Sequence, residues 1–141
     1  MTDEALPETL RRLHDAHVRA WCDLDLAALG AIYDEACIVF DTYPPPVYRG
    51  WAAFRDRIAP ELDAFESLDL RTFERTGELF GDMGWVACRY QIDGRRADGP
   101  YRGTGRWTEV YARRDRRWRL IHLHSSVDPA GEEGSVGDRT V

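Results

Sequence analysis

Apolar side chains recur every three or four residues in the first part of the chain and every second residue in the rest. Over residues 4–21 the spacing predicts a helix with one apolar face, formed by Leu6, Leu10, Leu13, His17 and Trp21. Asp25 has the side chain and position of an N-cap for a second, short helix. Gly50 precedes a third helix, which Pro60 is expected to break or kink.

The remaining elements are predicted as strands. A strand is expected at 37–41, and the three prolines of TYPPPVYRG after it predict a rigid extended loop. From residue 67 a period of two predicts four strands joined by short turns: SLDLRTFERTGELF, GWVACRYQID, YRGTGRWTEVYARR and RWRLIHLHSSV. The pattern therefore predicts an α+β fold in which three helices pack on one face of a curved antiparallel sheet. The open end of such a sheet is a suitable place for a small-molecule pocket.

Length and composition fit one domain. The chain has 141 residues, of which 43% are hydrophobic, enough to bury a core without disulfides. We predict a single domain over residues 1–128. Residues 129–141 have little to bury and are predicted to form a flexible tail.

Charge and residue usage exclude several function classes. A net charge of −6 argues against nucleic acid as a partner. The chain has no lysine, so it can form neither a Schiff base with a carbonyl compound nor a P-loop. No secretory signal or membrane-spanning apolar run is visible, and the three cysteines lack metal-ligand spacing. We expect a cytoplasmic protein that does not bind membranes.

Two stretches resemble a known superfamily. They are YDEACIVFD…YRG at 33–50 and RWTEVYARRDRRWRLIHLHSS at 106–126. Together with the order of elements they are similar to NTF2-like proteins, most of all to SnoaL-like domains. The second stretch is also similar to the association domain of calcium/calmodulin-dependent kinase II. The resemblance spans residues 5–128 and implies a cystatin-like cone. It does not fix the activity, because the superfamily contains isomerases, polyketide cyclases, dehydratases, epoxide hydrolases and assembly domains.

The ketosteroid isomerase branch offers a residue-by-residue comparison. Its spacing of a tyrosine, a proton-shuttling aspartate and a helix-opening glycine is matched by Tyr33, Asp41 and Gly50. The resemblance places His17 where that branch has an oxyanion-donating tyrosine. Its second oxyanion donor, an aspartic acid, falls nearest to Glu109. Two of the three catalytic residue types therefore differ from those of the steroid isomerases.

Asp41 is the main candidate for a catalytic residue. It closes a predicted strand and shares its alternation with the apolar Cys37 and Val39. Its carboxylate can therefore either cap the following turn or point into a pocket. In the pocket, burial would raise its pKa toward that of a general base, a pattern for which ketosteroid isomerase is the standard illustration.

The four histidines come in two pairs. His14 and His17 lie three residues apart on the first helix, while His122 and His124 share one face of the last strand. His17 is either a core residue or a proton donor, and one of the strand histidines, most simply His124, can serve the same purpose. We expect no bound metal, because the pairs lack a recognisable ligand spacing.

The remaining candidates for the site are pocket-wall and ligand-binding residues. Aromatic walls are expected from Trp21, Tyr43 and Trp107. Arg89 can pair with a carboxylate ligand, although its position in the alternation fits a dimer surface equally well. Glu109 has the same ambiguity of face.

Two functional hypotheses follow. The first is a cofactor-free acid–base enzyme of SnoaL type, an isomerase, cyclase or dehydratase acting on a small apolar metabolite. The second is a domain without catalytic activity that binds a small molecule or assembles with copies of itself. In both, a homodimer is expected through the exposed face of the sheet.

Overall fold

A computed structural model describes residues 6–42, 44–129 and the backbone of 134–135. The three predicted helices are present as α1 (Glu8–Cys22), α2 (Leu26–Ile32) and α3 (Trp51–Ala64). The strands are β1 (Tyr33–Phe40), β2 (Tyr48–Arg49), β3 (Phe65–Phe80), β4 (Met83–Arg96), β5 (Gly99–Arg114), β6 (Arg117–Val127) and β7 (Gly134–Ser135). The predicted α+β class is confirmed, with three helices packed on a curved sheet.

The helix ends follow the local sequence signals, with one exception. Asp25 caps α2 as predicted, because its carboxylate accepts a hydrogen bond from the backbone N–H of Ala28 at 3.0 Å. Pro60, however, lies inside α3, which continues to Ala64. Of the two predicted effects of Pro60, a break or a kink, the break is therefore wrong. The burial of Ile58 and Leu62 on either side offsets the loss of one backbone donor.

The sheet is mixed, not purely antiparallel as predicted. Its order is β2-β1-β6-β5-β4-β3, and β7 pairs with β5. The strands β3 to β6 form the expected antiparallel meander, whereas β1 lies parallel to β6. A long connection that includes α3 separates β1 from β6, so no hairpin forces these two strands to run in opposite directions.

Two segments expected to be irregular contribute short strands. Tyr48–Arg49, after the three prolines, pairs with β1 as β2. Within the predicted tail, Gly134–Ser135 pairs with β5. The rest of the tail from residue 130 onward lies outside the described residues.

Alternation along the strands places one set of side chains against the helices. On β4 and β5 the inward set includes Val86, Cys88, Tyr90, Trp107 and Tyr111, all buried. The α1 face that meets them buries Leu10, His14, His17 and Ala20. Two histidines therefore lie within the helix stripe that packs on the sheet. None of the helices in the described part of the chain combines the length and apolar character needed to cross a membrane.

Candidate functional site

A cavity of about 90 Å³ opens between the helices and the concave face of the sheet. Its walls are mainly aromatic and aliphatic. The aromatic lining consists of Trp21, Phe54, Phe65, Tyr90, Tyr101 and Trp107. Charged side chains are confined to one part of the wall, formed by Asp41, Arg57 and Glu61. Such a combination of apolar walls and a few polar groups is typical of small-molecule sites.

The three charged residues form a connected cluster, which we call the charged mouth. The Nη2 atom of Arg57 lies 3.2 Å from Oδ2 of Asp41. Its Nη1 atom donates to Glu61, one helical turn further along α3. The side chains of Asp41, Arg57 and Glu61 are 15%, 18% and 27% exposed, so solvent reaches the cluster only in part. Two carboxylates therefore bind one guanidinium in a partly exposed part of the cavity wall.

Burial raises the pKa of Asp41. Removal from water raises the pKa of this carboxyl group, and the nearby Glu61 carboxylate raises it further. The backbone N–H of Thr42 and the Arg57 guanidinium act in the opposite direction without cancelling the effect of burial. Asp41 is thus a stronger base than an exposed aspartate, and it faces a mostly apolar cavity.

Beneath the cavity, the carboxylate of Glu109 is fully buried and accepts four hydrogen bonds. Nδ1 of His14 lies 2.8 Å from Oε1, and Nδ1 of His17 lies 2.5 Å from Oε2. The indole N–H of Trp107 donates to Oε2 at 3.0 Å and the Tyr111 hydroxyl to Oε1 at 3.1 Å. Each oxygen of the buried carboxylate thus accepts two hydrogen bonds, as a charged group out of contact with water requires. The cluster joins α1 to β5.

Burial alone would raise the pKa of Glu109. The attraction of the two imidazoles and their hydrogen bonds outweigh this effect and lower the pKa to about 2. Glu109 is therefore ionised and can only accept hydrogen bonds, which places a proton on Nδ1 of both His14 and His17.

The second nitrogen of His17 has two partners. Its Nε2 atom lies 3.1 Å from the indole nitrogen of Trp21, and an indole nitrogen can only donate. Nε2 also lies 2.7 Å from the hydroxyl of Tyr33, whose pKa is raised well above its ordinary value by burial and by the Glu109 charge. Both ring nitrogens of His17 are therefore occupied by protein partners. Nε2 of His14 lies 2.7 Å from the Thr72 hydroxyl, which can either donate or accept a hydrogen bond.

The structure brings four of the predicted site residues to the cavity: Asp41, His17, Trp21 and Trp107 all line it. The third predicted wall residue, Tyr43, lies outside the described residues. His17 contacts the cavity, but both of its ring nitrogens are engaged in the hydrogen bonds described above.

His124 and Arg89 lie on the opposite face of the sheet, which corrects their placement in the pocket. His124 is exposed, and its ring packs 5.2 Å from that of Phe40, while Leu123 and Ser125 on either side of it line the cavity. Arg89 is exposed beside Glu74, at 3.5 Å, and lies over the Phe73 ring. Strand alternation turns both side chains outward.

Glu109 also differs from its expected place. It is directed inward, which the alternation had left open, but its oxygens contact Trp107, Tyr111 and the two α1 histidines. As an ionised acceptor it cannot donate to an oxyanion, the role that the resemblance implied. The structure places it behind the cavity wall as the partner of His17.

Arg57 and Glu61 line the cavity but were not predicted as site residues. A signal was present, because both residues immediately precede buried positions of the α3 stripe, Ile58 and Leu62, and are spaced four apart. What the pattern could not provide was the long-range contact to Asp41. The role of His14 was also missed, although it lies on the same helix face as His17.

Among the described residues, no group of three or more histidine, cysteine, aspartate or glutamate side chains is arranged to hold a metal ion. The two histidines nearest to a carboxylate, His14 and His17, direct their Nδ1 protons at Glu109. Their hydrogen bonds thus occupy the atoms that a metal would need.

Comparison with known structures shows the same fold in proteins of low identity. An NTF2-like superfamily protein from Salmonella enterica superposes with a TM-score of 0.76 at 16% identity, covering 94% of this chain and 96% of that one. A provisionally described dehydratase of the NTF2-like family from Streptomyces avermitilis gives 0.77 at 17%, covering 87% and 96%. The association domain of C. elegans CaMKII gives 0.73 at 14%, covering 89% and 100%.

Comparison of sequences identifies the family. Among proteins with curated descriptions, none matches the chain. The family model described as a SnoaL-like domain matches residues 10–130, which include the cavity-lining residues of α1 and α3, the whole of α2 and the strands β1 to β6. The chain therefore belongs to the SnoaL-like domain family.

Proposed function

We propose that this SnoaL-like domain is an acid–base enzyme that needs no cofactor and acts on a small, largely apolar molecule. The observation that carries the proposal is Asp41, a carboxylate with a raised pKa in the wall of an apolar cavity. A general base is most effective when its pKa approaches the working pH, which burial achieves for a carboxylate. The reaction class is proton abstraction next to a carbonyl group, as in isomerases, cyclases and dehydratases.

Each part of the site has a role in this proposal. Asp41 takes the proton, and Arg57 fixes the orientation of its carboxylate. When the proton moves, the negative charge passes from Asp41 to the substrate. The Arg57 guanidinium remains close enough to interact with both, which lowers the cost of the transfer. Trp21 and Trp107 form the walls, and His17 holds the indole N–H of Trp21 in place.

The size of the cavity limits the substrate. Its volume of about 90 Å³ is smaller than the roughly 150 Å³ of an engineered protein cavity that binds benzene. The enclosed part is therefore too small for a whole ring with its substituents, and the remainder of such a substrate would extend past the charged mouth. This limit does not favour a fully enclosed steroid.

Hydrogen–deuterium exchange tests the proposed chemistry before the natural substrate is known. A panel of small ketones and β-keto esters in D2O, followed by NMR, reports abstraction of an activated C–H. The native protein should accelerate exchange for at least one compound, and Asp41→Asn should reduce that rate by roughly 10²–10⁴. Asp56→Asn removes a similar charge from an exposed position of α3 and should leave the rate unchanged. Equal rates for D41N and the native protein would rule out Asp41 as the base.

The second candidate is a binding domain without catalytic activity. The observation that favours it is the state of His17, whose two ring nitrogens are already hydrogen-bonded, so that it presents no spare proton to a ligand. A compound that binds in the cavity, shown by shifts of the Trp21 and Trp107 indole signals, without any exchange would support this candidate. Exchange that depends on Asp41 would exclude it.

A further inference from the structure

The charged mouth bears on the class of ligand that the cavity accepts. In the part of the chain that the structure describes, the carboxylates and the guanidinium of the cavity wall are those of Asp41, Arg57 and Glu61, while His17 is bound to the buried carboxylate of Glu109. One terminal nitrogen of Arg57 is paired with Asp41 and the other with Glu61. Its positive charge is thus more than balanced, and the cluster carries one excess negative charge.

An anionic ligand would meet this excess charge in a partly desolvated setting. A carboxylate or phosphate could approach Arg57 only by displacing Asp41 or Glu61, or by lying beside both of them. At about 4 Å, two like charges repel by roughly 1 kcal/mol in water and about 4 kcal/mol at the effective dielectric near a protein surface. This repulsion weakens the binding of an anion but does not act on an uncharged ligand of equal size.

The rest of the wall suits an uncharged ligand. Six aromatic side chains and the aliphatic Ile58, Leu62, Leu70, Ile92 and Leu123 provide an apolar surface. The hydroxyl groups of Thr42 and Ser125 also line the cavity and can each donate or accept a hydrogen bond. A hydroxyl or carbonyl group on the ligand would find partners there without bringing a charge.

We infer that the cavity takes small uncharged molecules with an aromatic or branched aliphatic body and a hydroxyl or carbonyl group, and that the charged mouth excludes carboxylates and phosphates. This inference deepens the proposed function, because it concerns the same cavity, but it depends only on binding. Glu61 and Asp41 act here as residues that determine specificity.

Three probes of matched shape test the inference: benzyl alcohol, benzylammonium and benzoate. Binding is followed by protein-observed NMR titration of the indole signals. The native protein should bind benzyl alcohol, and benzoate should bind at least about tenfold more weakly, as expected for a repulsion above 1.4 kcal/mol. Tighter binding of benzoate than of benzyl alcohol would overturn the inference. Tighter binding of benzylammonium would replace the uncharged class by a cationic one and overturn it as well.

The decisive variant is the double substitution Asp41→Asn with Glu61→Gln, which keeps the shape of both side chains and leaves Arg57 without a counter-charge from them. Its affinity for benzoate should rise by at least about tenfold, while that for benzyl alcohol changes little. The matched control, Asp56→Asn with Asp63→Asn, removes two charges from exposed positions of α3 and should not change the preference. Circular dichroism tests whether each variant is folded. If the double variant is unfolded, Glu61→Gln alone replaces it, and its affinity for benzoate should rise by a smaller factor.

The outcomes separate this inference from the proposed function. Tight benzoate binding together with exchange that depends on Asp41 would contradict the ligand class and leave the acid–base chemistry standing. Selective binding of benzyl alcohol without any exchange would do the reverse. No binding of any probe by the native protein would contradict the inference, and so would a double variant that is folded and still rejects benzoate.

Discussion

At Asp41 burial raises the pKa of the carboxyl group, while the backbone N–H of Thr42 and the neighbouring guanidinium lower it. Burial is the larger, so the pKa of Asp41 is higher in the folded protein than the value of 3.8 typical of the unfolded chain. The contribution of such a group to the free energy of unfolding is greatest below the unfolded pKa and is lost as the pH rises through the folded pKa. The burial that makes Asp41 a stronger base therefore also lowers the stability of the folded protein at neutral pH.

This dependence gives a prediction for Asp41→Asn that needs no substrate. The amide does not titrate, so the difference in melting temperature between D41N and the native protein should shift in favour of D41N between about pH 4 and about pH 7. Thermal melts at several pH values measure it. A constant difference across this range would show that folding does not raise the pKa of Asp41, and it would remove the physical basis for its role as a base.

The proton on His17 can be observed directly. Its contact with the ionised Glu109 requires a proton on Nδ1. We expect the 15N NMR shifts of the His17 ring to show a protonated Nδ1 at neutral pH. In Glu109→Gln, which replaces the carboxylate, this requirement is removed and the Nδ1 signal should change. An Nδ1 without a proton in the native protein would contradict the hydrogen-bond assignment.

At the scale of elements, Glu109 joins α1 to the middle of β5. Its lowered pKa, about 2 against an ordinary 4.5, means that its stabilising effect is fully present above pH 4.5 and is lost as the pH falls toward 2. A shift of this size corresponds to about 3 kcal/mol of folding free energy. The packing of α1 on the sheet thus depends on an ionised group in the core.

Glu109→Gln tests this dependence. The amide nitrogen of glutamine brings two N–H donors to a position surrounded by donors, so at least one buried polar group loses its partner. We expect a loss of about 3–5 kcal/mol at neutral pH, as for the removal of one partner of a buried ion pair. The loss should shrink in acid, where the native glutamate also takes up a proton. Urea unfolding measures both effects, and Glu66→Gln, an exposed position on β3, is the control. A loss below about 1 kcal/mol would show that the buried cluster contributes little.

The elements were predictable to the extent that their signals are local. The period of α1, the Asp25 cap and the alternation of β3 to β6 are all contained within a few residues. The parallel pairing of β1 with β6 was not predictable in this way, because it depends on contacts between residues about 85 apart. At Pro60 a local signal gave the wrong result, because the tertiary packing of α3 overrides the tendency of proline to break a helix.

The site was predictable only where the helix period or the strand end decided the direction of a side chain. Asp41 and His17 lie at the cavity for these reasons. On β4, β5 and β6 the alternation separates two sets of side chains but does not say which set faces the helices when both contain apolar and charged residues. His124 and Arg89 therefore could not be assigned to a face, whereas the buried Trp107 and Glu109 belong to the inward set.

At the scale of the whole molecule, the sheet face opposite the helices is a candidate surface for self-association. In the described residues no helix covers this face, and it carries apolar and aromatic side chains: Phe40, at 39% exposure, and Trp85, Val110 and His122, which lie in register across the central strands. Aromatic residues and arginines such as Arg89 are typical of the cores of protein interfaces.

We expect a homodimer formed through this face, because an uncovered apolar sheet surface is rarely left to solvent. Light scattering at micromolar concentration should give about twice the mass of one chain. Val110→Arg places an unpaired charge beside Trp85 and His122, and since burying such a charge is costly, it should shift the mass toward that of the monomer. Ala52→Arg adds the same charge to an exposed position of α3 and should leave the dimer intact.

The cavity lies on the helix side of the sheet, so the V110R monomer should still bind benzyl alcohol with the native affinity. A native protein that remains monomeric would contradict the prediction, and a dimer unaffected by V110R but dissociated by A52R would place the interface on the helices instead.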